Sequence, residues 1–191
     1  MVAGMAKVIQ FEERAVATLR ERLGAAESAN EDLIAFARGH SGATASIHRA
    51  VLAIMETDGV DALFDAVTRQ WPAILGIDHV VLALVADGQG FTVHQGRIEQ
   101  VESRLIDRAI SRLEPVSMTA VQRGHPLFGR LAPSVRSQAV ILLPAKAPFP
   151  YGMLLLGERE AASLDTRHGA QLLGFLGSSL AAMIRRWLTN P

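Results

Sequence analysis

Apolar and small residues recur at alternating steps of three and four near the start of the chain. The positions are Val16, Leu19, Leu23, Ala26, Asn30, Leu33 and Ala37. This spacing keeps one stripe of a helix facing a partner, as the a and d positions of a coiled coil do. Asn30 falls on an a position, where a buried amide fixes register and strand number. The pattern predicts a homodimer through Val16, Leu19, Leu23, Asn30 and Leu33, or else a stripe that packs on the protein's own globular part.

The same spacing continues beyond a glycine-containing segment at residues 39–42. The later positions are Thr44, Ile47, Val51 and Ile54. Each glycine in a helix costs up to about 1 kcal/mol relative to alanine. We therefore expect one long helix over residues 8–57, with a kink or a brief break near 39–42. That weak point is either a hinge used in signalling or a tolerated surface irregularity.

From residue 58 onward the pattern alternates between helical and strand-like runs. Helices are expected at 60–71, where Pro72 and Gly76 end the pattern, and at 101–113 and 165–188, and strands at 79–86, 91–94, 115–119, 137–143 and 151–158. The run at 79–86 is apolar on both faces, which is typical of a central strand, whereas residues 121–133 read as a loop. Short turns between strands favour an antiparallel sheet with helices layered on it. The sequence thus predicts an α+β domain over residues 58–191, preceded by the helix of residues 1–57.

Composition narrows the classes of function. The chain has 191 residues, 49% of them hydrophobic, and its 19 Lys and Arg balance 19 Asp and Glu. Zero net charge gives no general attraction to nucleic acid or to membranes, and neither is expected as a partner. Cysteine is absent, which excludes disulfides, thiol nucleophiles and Cys-linked chromophores. Apolar runs stay far below the roughly 20 residues of a spanning helix and no export signal is visible, so we expect a cytoplasmic protein.

Catalytic and metal-binding motifs are missing from the sequence. The six histidines form neither H-x-x-x-H nor H-E-x-x-H, and no G-x-S-x-G or G-x-G-x-x-G occurs. We therefore expect no metal, no cofactor and no enzymatic activity. A Rossmann nucleotide site is equally unsupported, because strands and helices do not alternate.

Several stretches of small and apolar residues resemble a bacterial family. They are Arg20–Leu23, Asn30–Ile34, Ala37-Arg38, Ile47-His48, Leu52-Ala53, Pro126–Gly129, Val135–Ala139, Leu143-Pro144, Gly152–Gly157 and Gly169–Gly177. With the order of elements, they resemble the bacterial domain-of-unknown-function family 484, whose members pair a long N-terminal helix with a GAF-like domain. The resemblance implies an antiparallel sheet with a helix pair on one face and a ligand pocket on the other, under a loop and a short helix. It implies no activity, and only a weak link to a DNA recombinase system through neighbouring genes.

The segment that the resemblance places over the ligand pocket carries an unusual charge pattern. Between Glu114 and Glu158 there is no Asp or Glu, whereas arginines and a lysine are present. Such a segment favours an anionic ligand, such as a phosphorylated metabolite or nucleotide, because guanidinium groups bind anions in a bidentate manner. The candidate ligand-binding residues are Arg123, His125, Arg136 and Gln138. The alternative is that these are ordinary surface residues whose acidic partners lie elsewhere in the chain.

Two functions follow from the sequence. The leading hypothesis is a non-enzymatic regulatory module, a homodimer whose GAF-like domain binds a small molecule or another protein. The alternative is a protein–protein adaptor whose pocket is filled by its own side chains. An open polar cavity under residues 121–138 would favour ligand binding, and a filling of Leu and Phe would favour the adaptor.

Overall fold

The computed structural model describes residues 21–24, 27–28, 41–143, 150–161 and 166–189. The chain divides into two compact units, Met1–Gly42 and Ala43–Pro191. In the first unit, residues 21–24 and 27–28 are helical, and Leu23 is 59% exposed. The other proposed dimerisation residues, Val16, Leu19, Asn30 and Leu33, lie outside the described residues, as do residues 39–40 of the expected kink. The coiled coil therefore stays a prediction.

The described part of the second unit is built from helices and a six-stranded sheet. The helices are α1 (41–55), α2 (Val60–Asp65), α3 (Trp71–Leu75), α4 (Ser103–Ile110) and α5 (Thr166–Thr189). The strands are β1 (His79–Ala86), β2 (Gln89–His94), β3 (Arg97–Val101), β4 (Val116–Ala120), β5 (Ser137–Leu143) and β6 (Tyr151–Glu158). Their order in the sheet is β3-β2-β1-β6-β5-β4, and every neighbouring pair is antiparallel. The predicted antiparallel α+β architecture is confirmed, with β1 inside the sheet.

Two tight hairpins build the β1–β3 side of the sheet. Asp87 and Gly88 join β1 to β2 with positive φ angles of 50° and 75°. Gln95 and Gly96 join β2 to β3 in the same way, with φ angles of 49° and 71°. Paired positive φ angles define the turn whose twist matches that of the flanking strands. The sequence analysis missed β3, because this edge strand is exposed along most of its length and lacks the alternation of a half-buried strand.

The helical run that opens the domain was expected to end at Pro72 and Gly76; it continues through Pro72 and ends at Gly76. A π-helical segment, Ala66–Gln70, joins α2 to α3, and the helix continues through Pro72 to Leu75. In a regular α-helix the proline ring clashes with the carbonyl group four residues earlier. The wider turn directly before Pro72 accommodates the ring. Gly76 then ends the helix in the left-handed conformation, with a φ angle of 69°.

One face of the sheet, called the helical face below, is covered by α1, α2, α3 and α5. Trp71 is fully buried there, and its indole Nε1 donates a hydrogen bond of 2.9 Å to the carbonyl oxygen of Ala50. Ile47 and Ile54 of α1 are 5% and 0% exposed in the same core. The compact unit consequently begins at Ala43, earlier than the boundary after residue 57 expected from sequence, because α1 is part of its core.

The opposite face, called the roof face, is covered by α4 and by the roof segment, residues 121–136. Where a loop was expected at 121–133, the structure has a 3-10 helix, Pro126–Ser134, with a kink at Gly129. Its prolines and glycine oppose a regular α-helix but are compatible with short 3-10 turns. Leu127, Phe128 and Val135 are buried against the sheet.

No helix in the described ranges is both long enough and apolar enough to cross a membrane.

Candidate functional site

The beginning of the roof segment is held by hydrogen bonds that involve two predicted ligand residues. The backbone N–H of His125 donates to Oε1 of Gln138 at 2.8 Å. His125 Nδ1 accepts a hydrogen bond of 3.2 Å from the backbone N–H of Leu127, which caps the 3-10 helix. The structure thus brings His125 and Gln138 together, and their contacts position the roof.

The end of the roof segment is held by Arg136. Its Nη1 donates to the carbonyl oxygens of Gln122, Pro133 and Val135 at 3.2, 2.7 and 3.1 Å. This guanidinium therefore ties both ends of the roof segment together. Arg123, the fourth predicted residue, is exposed at the surface.

A cavity of about 370 Å³ lies between the 3-10 helix of the roof and the β1–β3 side of the sheet. We call it the roof cavity. Its polar lining residues are Thr92, His94, Gln95, Arg97, Glu99 and Arg130. Its apolar lining includes Val81, Leu105, Leu127 and Phe128. An apolar wall with a few polar groups is the usual construction of a small-molecule site.

Two histidines connect the floor of the roof cavity to the roof itself. His79 is 5% exposed, and its Nε2 lies 3.5 Å from Oγ of Ser134 at the end of the 3-10 helix. The rings of His79 and His94 stand edge to face with centroids 6.5 Å apart. His94 lines the cavity, so the two imidazole rings, both of which can bind a proton, lie between the cavity and the end of the 3-10 helix.

Burial lowers the pKa of both histidines. For His79 the loss of solvent is the largest cause and the charge of Arg159 adds to it, while Asp78 opposes the shift. For His94 burial again comes first, followed by the charge of His79, and Glu99 opposes them. A lowered pKa favours the neutral imidazole at neutral pH. Each ring then offers one donor and one acceptor nitrogen.

The predicted ligand residues do not line the roof cavity. His125 lines a separate groove beside α4, together with Arg108 and Arg112. Gln138 lines a cavity of about 350 Å³ on the helical face with Ser137 and Glu158. Burial, and then the charges of Asp78 and Glu160, raise the pKa of Glu158 there. The structure thus brings His125 and Gln138 together but does not place all four residues around one cavity.

Two of the six polar lining residues of the roof cavity were missed because β3 was not predicted from the sequence. Arg97 and Glu99 lie on that strand, which faces solvent and gives no hydrophobic pattern. The Gln95-Gly96 turn was the available signal, because Gly permits the positive φ that a two-residue hairpin needs. Arg130 was part of the acid-free segment but was not selected as a candidate.

The arrangement is suited to binding. The roof cavity combines two guanidinium groups, one carboxylate and an imidazole with an apolar wall. Within the described ranges, no three His, Cys, Asp or Glu side chains cluster as metal ligands would. Ser134, which lies near His79, also donates its hydroxyl to the carbonyl oxygen of Leu131 at 2.8 Å, a contact that stabilises the turn.

Comparison with known proteins identifies both the family and the fold. A family model described as "Protein of unknown function, DUF484" matches residues 3–189, which is nearly the whole chain. No curated protein matches the sequence.

Several solved structures are similar in fold. The GAF domain of a phosphoenolpyruvate-protein phosphotransferase from Coxiella burnetii superposes with a TM-score of 0.55 at 12% identity, over 78% of this chain and 96% of that one. The GAF domain of a protein described as a sensor histidine kinase, from Pseudomonas syringae pv. tomato, gives 0.54 at 14% identity, over 81% and 94%. A far-red absorbing protein with bound biliverdin IXa gives 0.53 at 13%, over 75% and 99%. At these identities the likeness shows a GAF-like fold.

Proposed function

We propose that this chain, which belongs to the DUF484 family, is a regulatory module whose GAF-like domain binds a small anionic molecule in the roof cavity. The observation that carries the proposal is the mixed lining of that cavity, which places Arg97 and Arg130 beside an apolar wall. GAF-like solved structures include a domain from a protein described as a sensor histidine kinase, which supports a sensory role.

The charges of the roof cavity favour an anion. Arg97 and Arg130 face one carboxylate, that of Glu99, and neither arginine makes an ion pair with any described residue. Guanidinium groups bind carboxylates and phosphates through two parallel hydrogen bonds, which are stronger than neutral ones. His94 and Thr92 add hydrogen-bonding groups that could orient the ligand.

The size of the ligand is limited by the roof. Leu127 and Phe128 are 6% and 3% exposed and fill the centre of the roof face, together with Val135. Beside this filled centre, the roof cavity extends toward β2 and β3 and measures about 370 Å³. The filled centre is the observation that favours the second candidate, a protein–protein adaptor, with a possible link to a recombinase system. Binding of a ligand at Arg97 and Arg130 separates the two.

The proposed module acts without catalysis and dimerises through the N-terminal stripe of Val16, Leu19, Leu23, Asn30 and Leu33. The support is the alternating spacing of three and four and the 59% exposure of Leu23. Sedimentation equilibrium of the full chain tests this proposal. The full-length Leu33→Lys variant should be monomeric, and a monomeric native chain would contradict it.

The ligand proposal is tested on the full chain in two measurements. Native mass spectrometry detects small molecules that copurify, and thermal unfolding with naphthalene-2-carboxylate supplies a probe with an anionic group and an apolar body. We expect an adduct, or a raised Tm with the probe, that disappears in the Arg97→Ala/Arg130→Ala variant. Arg104→Ala is the matched control, because this exposed arginine does not line the cavity and should leave both results unchanged. Equal behaviour of the native chain and the double variant would favour the adaptor.

A further inference from the structure

A second basic site lies outside the roof cavity. Leu105 and Leu127 line both and form the wall between them. It is a groove of about 300 Å³ between the end of α4 and the beginning of the roof segment. Its three basic residues are Arg108, Arg112 and His125. We call it the α4 groove.

Among the described residues, none forms an ion pair with the arginines of the α4 groove. Arg108 lies in the last turn of α4 and Arg112 lies two residues beyond its end, and both line the groove. No Asp or Glu is among the groove's described lining residues. The neighbouring acid, Asp107, instead accepts a hydrogen bond of 2.8 Å from the hydroxyl of Tyr151.

His125 presents a fixed hydrogen-bond donor to the same groove. Because its Nδ1 accepts the backbone N–H of Leu127, the proton of the neutral ring lies on Nε2. A second hydrogen bond, from the backbone N–H of His125 to Gln138, holds the residue in place. Burial lowers the pKa of His125, so the ring is neutral at neutral pH and donates through Nε2.

We propose that the α4 groove binds the phosphate group of a small phosphomonoester. Arg108 and Arg112 match the two negative charges of the phosphate, and His125 donates Nε2–H to one of its oxygens. A phosphate has more acceptor oxygens than a carboxylate, so it can satisfy three donor groups that arrive from two elements. The apolar lining residues Leu105 and Leu113 would cover the organic part of the molecule.

Isothermal titration calorimetry of the full chain with phenyl phosphate tests this proposal. We expect binding to the α4 groove with an affinity at least tenfold lower in the Arg108→Ala/Arg112→Ala variant, whereas a second site in the roof cavity would be identified by its loss in Arg97→Ala/Arg130→Ala. Both side chains are exposed, so the variant should keep the native circular dichroism spectrum. Arg104→Ala, which removes an exposed arginine of the same helix from outside the groove, should change the affinity less than twofold.

Measurements with other ligands and with a second double variant show which ligand group is bound and at which site. Inorganic phosphate should bind more weakly than phenyl phosphate, because it lacks the apolar part, and benzoate more weakly still, because it carries a single charge. Arg97→Ala/Arg130→Ala, which removes the arginines of the roof cavity, should keep the phenyl phosphate binding that Arg108→Ala/Arg112→Ala loses, so failure here and failure of the roof cavity are separate results. No binding, equal loss in Arg104→Ala, or loss only in Arg97→Ala/Arg130→Ala would each overturn the proposal.

Discussion

The two faces of the sheet are closed by different forces. The helical face is covered by long elements, above all the 24-residue α5, and its core is an apolar layer around Trp71. The roof face is covered by an eight-residue helix and a nine-residue 3-10 segment. The apolar cluster on this face is smaller, and hydrogen bonds of the roof segment supplement it. The backbone N–H of Gly124 donates to the carbonyl oxygen of Ala132, and the backbone N–H of Arg136 donates to that of Glu158, both at 2.8 Å.

This difference explains where polar chemistry collects. Apolar burial scales with covered area and excludes water, so a face closed by long helices leaves few polar groups without a partner. Among the described residues, the cavity of about 350 Å³ on the helical face has one charged lining residue, Glu158, whereas the roof cavity has three, Arg97, Glu99 and Arg130. The roof cavity and the α4 groove both lie on the roof face, and two of their four arginines, Arg97 and Arg108, lie on the short elements β3 and α4. Ligand binding is therefore expected where the fold is held partly by polar contacts.

Replacement of Trp71 tests the helical face and has the largest expected effect. Trp71→Ala removes a side chain with 0% exposure and its hydrogen bond to Ala50, which should lower the free energy of unfolding by about 3–5 kcal/mol. Urea denaturation of the full chain measures the change. Trp71→Phe is the control, because it keeps a buried ring and loses the indole donor, and it should cost clearly less. A loss below about 1 kcal/mol for Trp71→Ala would contradict a closely packed helical face.

The outcome at α1 shows what periodicity can and cannot predict. The apolar stripe, whose positions follow alternating steps of three and four residues, was expected either to pair between chains or to pack on the protein's own domain. In the described part of the stripe, Ile47 and Ile54 pack in the domain core, whereas Leu23 is 59% exposed. One hydrophobic period is compatible with both outcomes, because it specifies a buried face and not the partner that covers it. Tertiary context decides the partner.

The parts of the fold that sequence predicted well are those with a strong apolar pattern. β5 and β6 span the expected ranges 137–143 and 151–158, and β1 spans the expected 79–86. These strands lie inside the sheet, so both of their faces are buried and their sequences are nearly continuous apolar runs. The exposed β3 and the proline-containing 3-10 helix carry no such pattern and were missed.

The roof cavity contains none of the four residues selected from the sequence, whose role in ligand binding stays a prediction. The acid-free segment was recognised from composition, but composition does not say which guanidinium groups serve the fold. Arg136 binds three carbonyl groups of its own roof segment, and His125 faces α4. Arg97 lies on the strand that was missed. Side-chain partners across the fold are set by tertiary contacts, which spacing along the chain does not contain.

Replacement of Arg136 tests the roof face and should have an intermediate effect. Arg136→Ala removes hydrogen bonds from a charged donor to three carbonyl groups and should lower the free energy of unfolding by about 1–2 kcal/mol. Arg123→Ala is the matched control, since Arg123 is an exposed arginine of the same segment, and its effect should stay within about 0.5 kcal/mol. Urea denaturation measures both variants. Equal effects of the two would mean that Arg136 does not hold the roof.

The smallest expected effect is the pH dependence that His79 contributes to the roof face. Burial, with the charge of Arg159, lowers the pKa of His79 in the folded chain, whereas an unfolded histidine titrates near about 6.5. The folded state then binds fewer protons than the unfolded state. The stabilisation is fully present above the unfolded pKa and is lost as the pH falls through the folded pKa.

The test compares urea midpoints at about pH 7.5 and about pH 5.5, above the range near 4 in which ordinary carboxyl groups titrate. The native chain should have the lower midpoint at the acidic pH, because the lowered pKa values of three histidines outweigh the opposite contribution of Glu158, whose pKa is raised by burial. His79→Gln keeps a polar group that can reach Ser134 and should reduce the difference between the two midpoints without abolishing it, because the pKa values of His94 and His125 are also lowered by burial. His48→Gln, at an exposed position of α1, is the control and should leave the difference unchanged. If His79→Gln has the same pH dependence as the native chain, then the His79–Ser134 contact does not link the roof to proton binding, and the roof face depends on Arg136 and its apolar contacts alone.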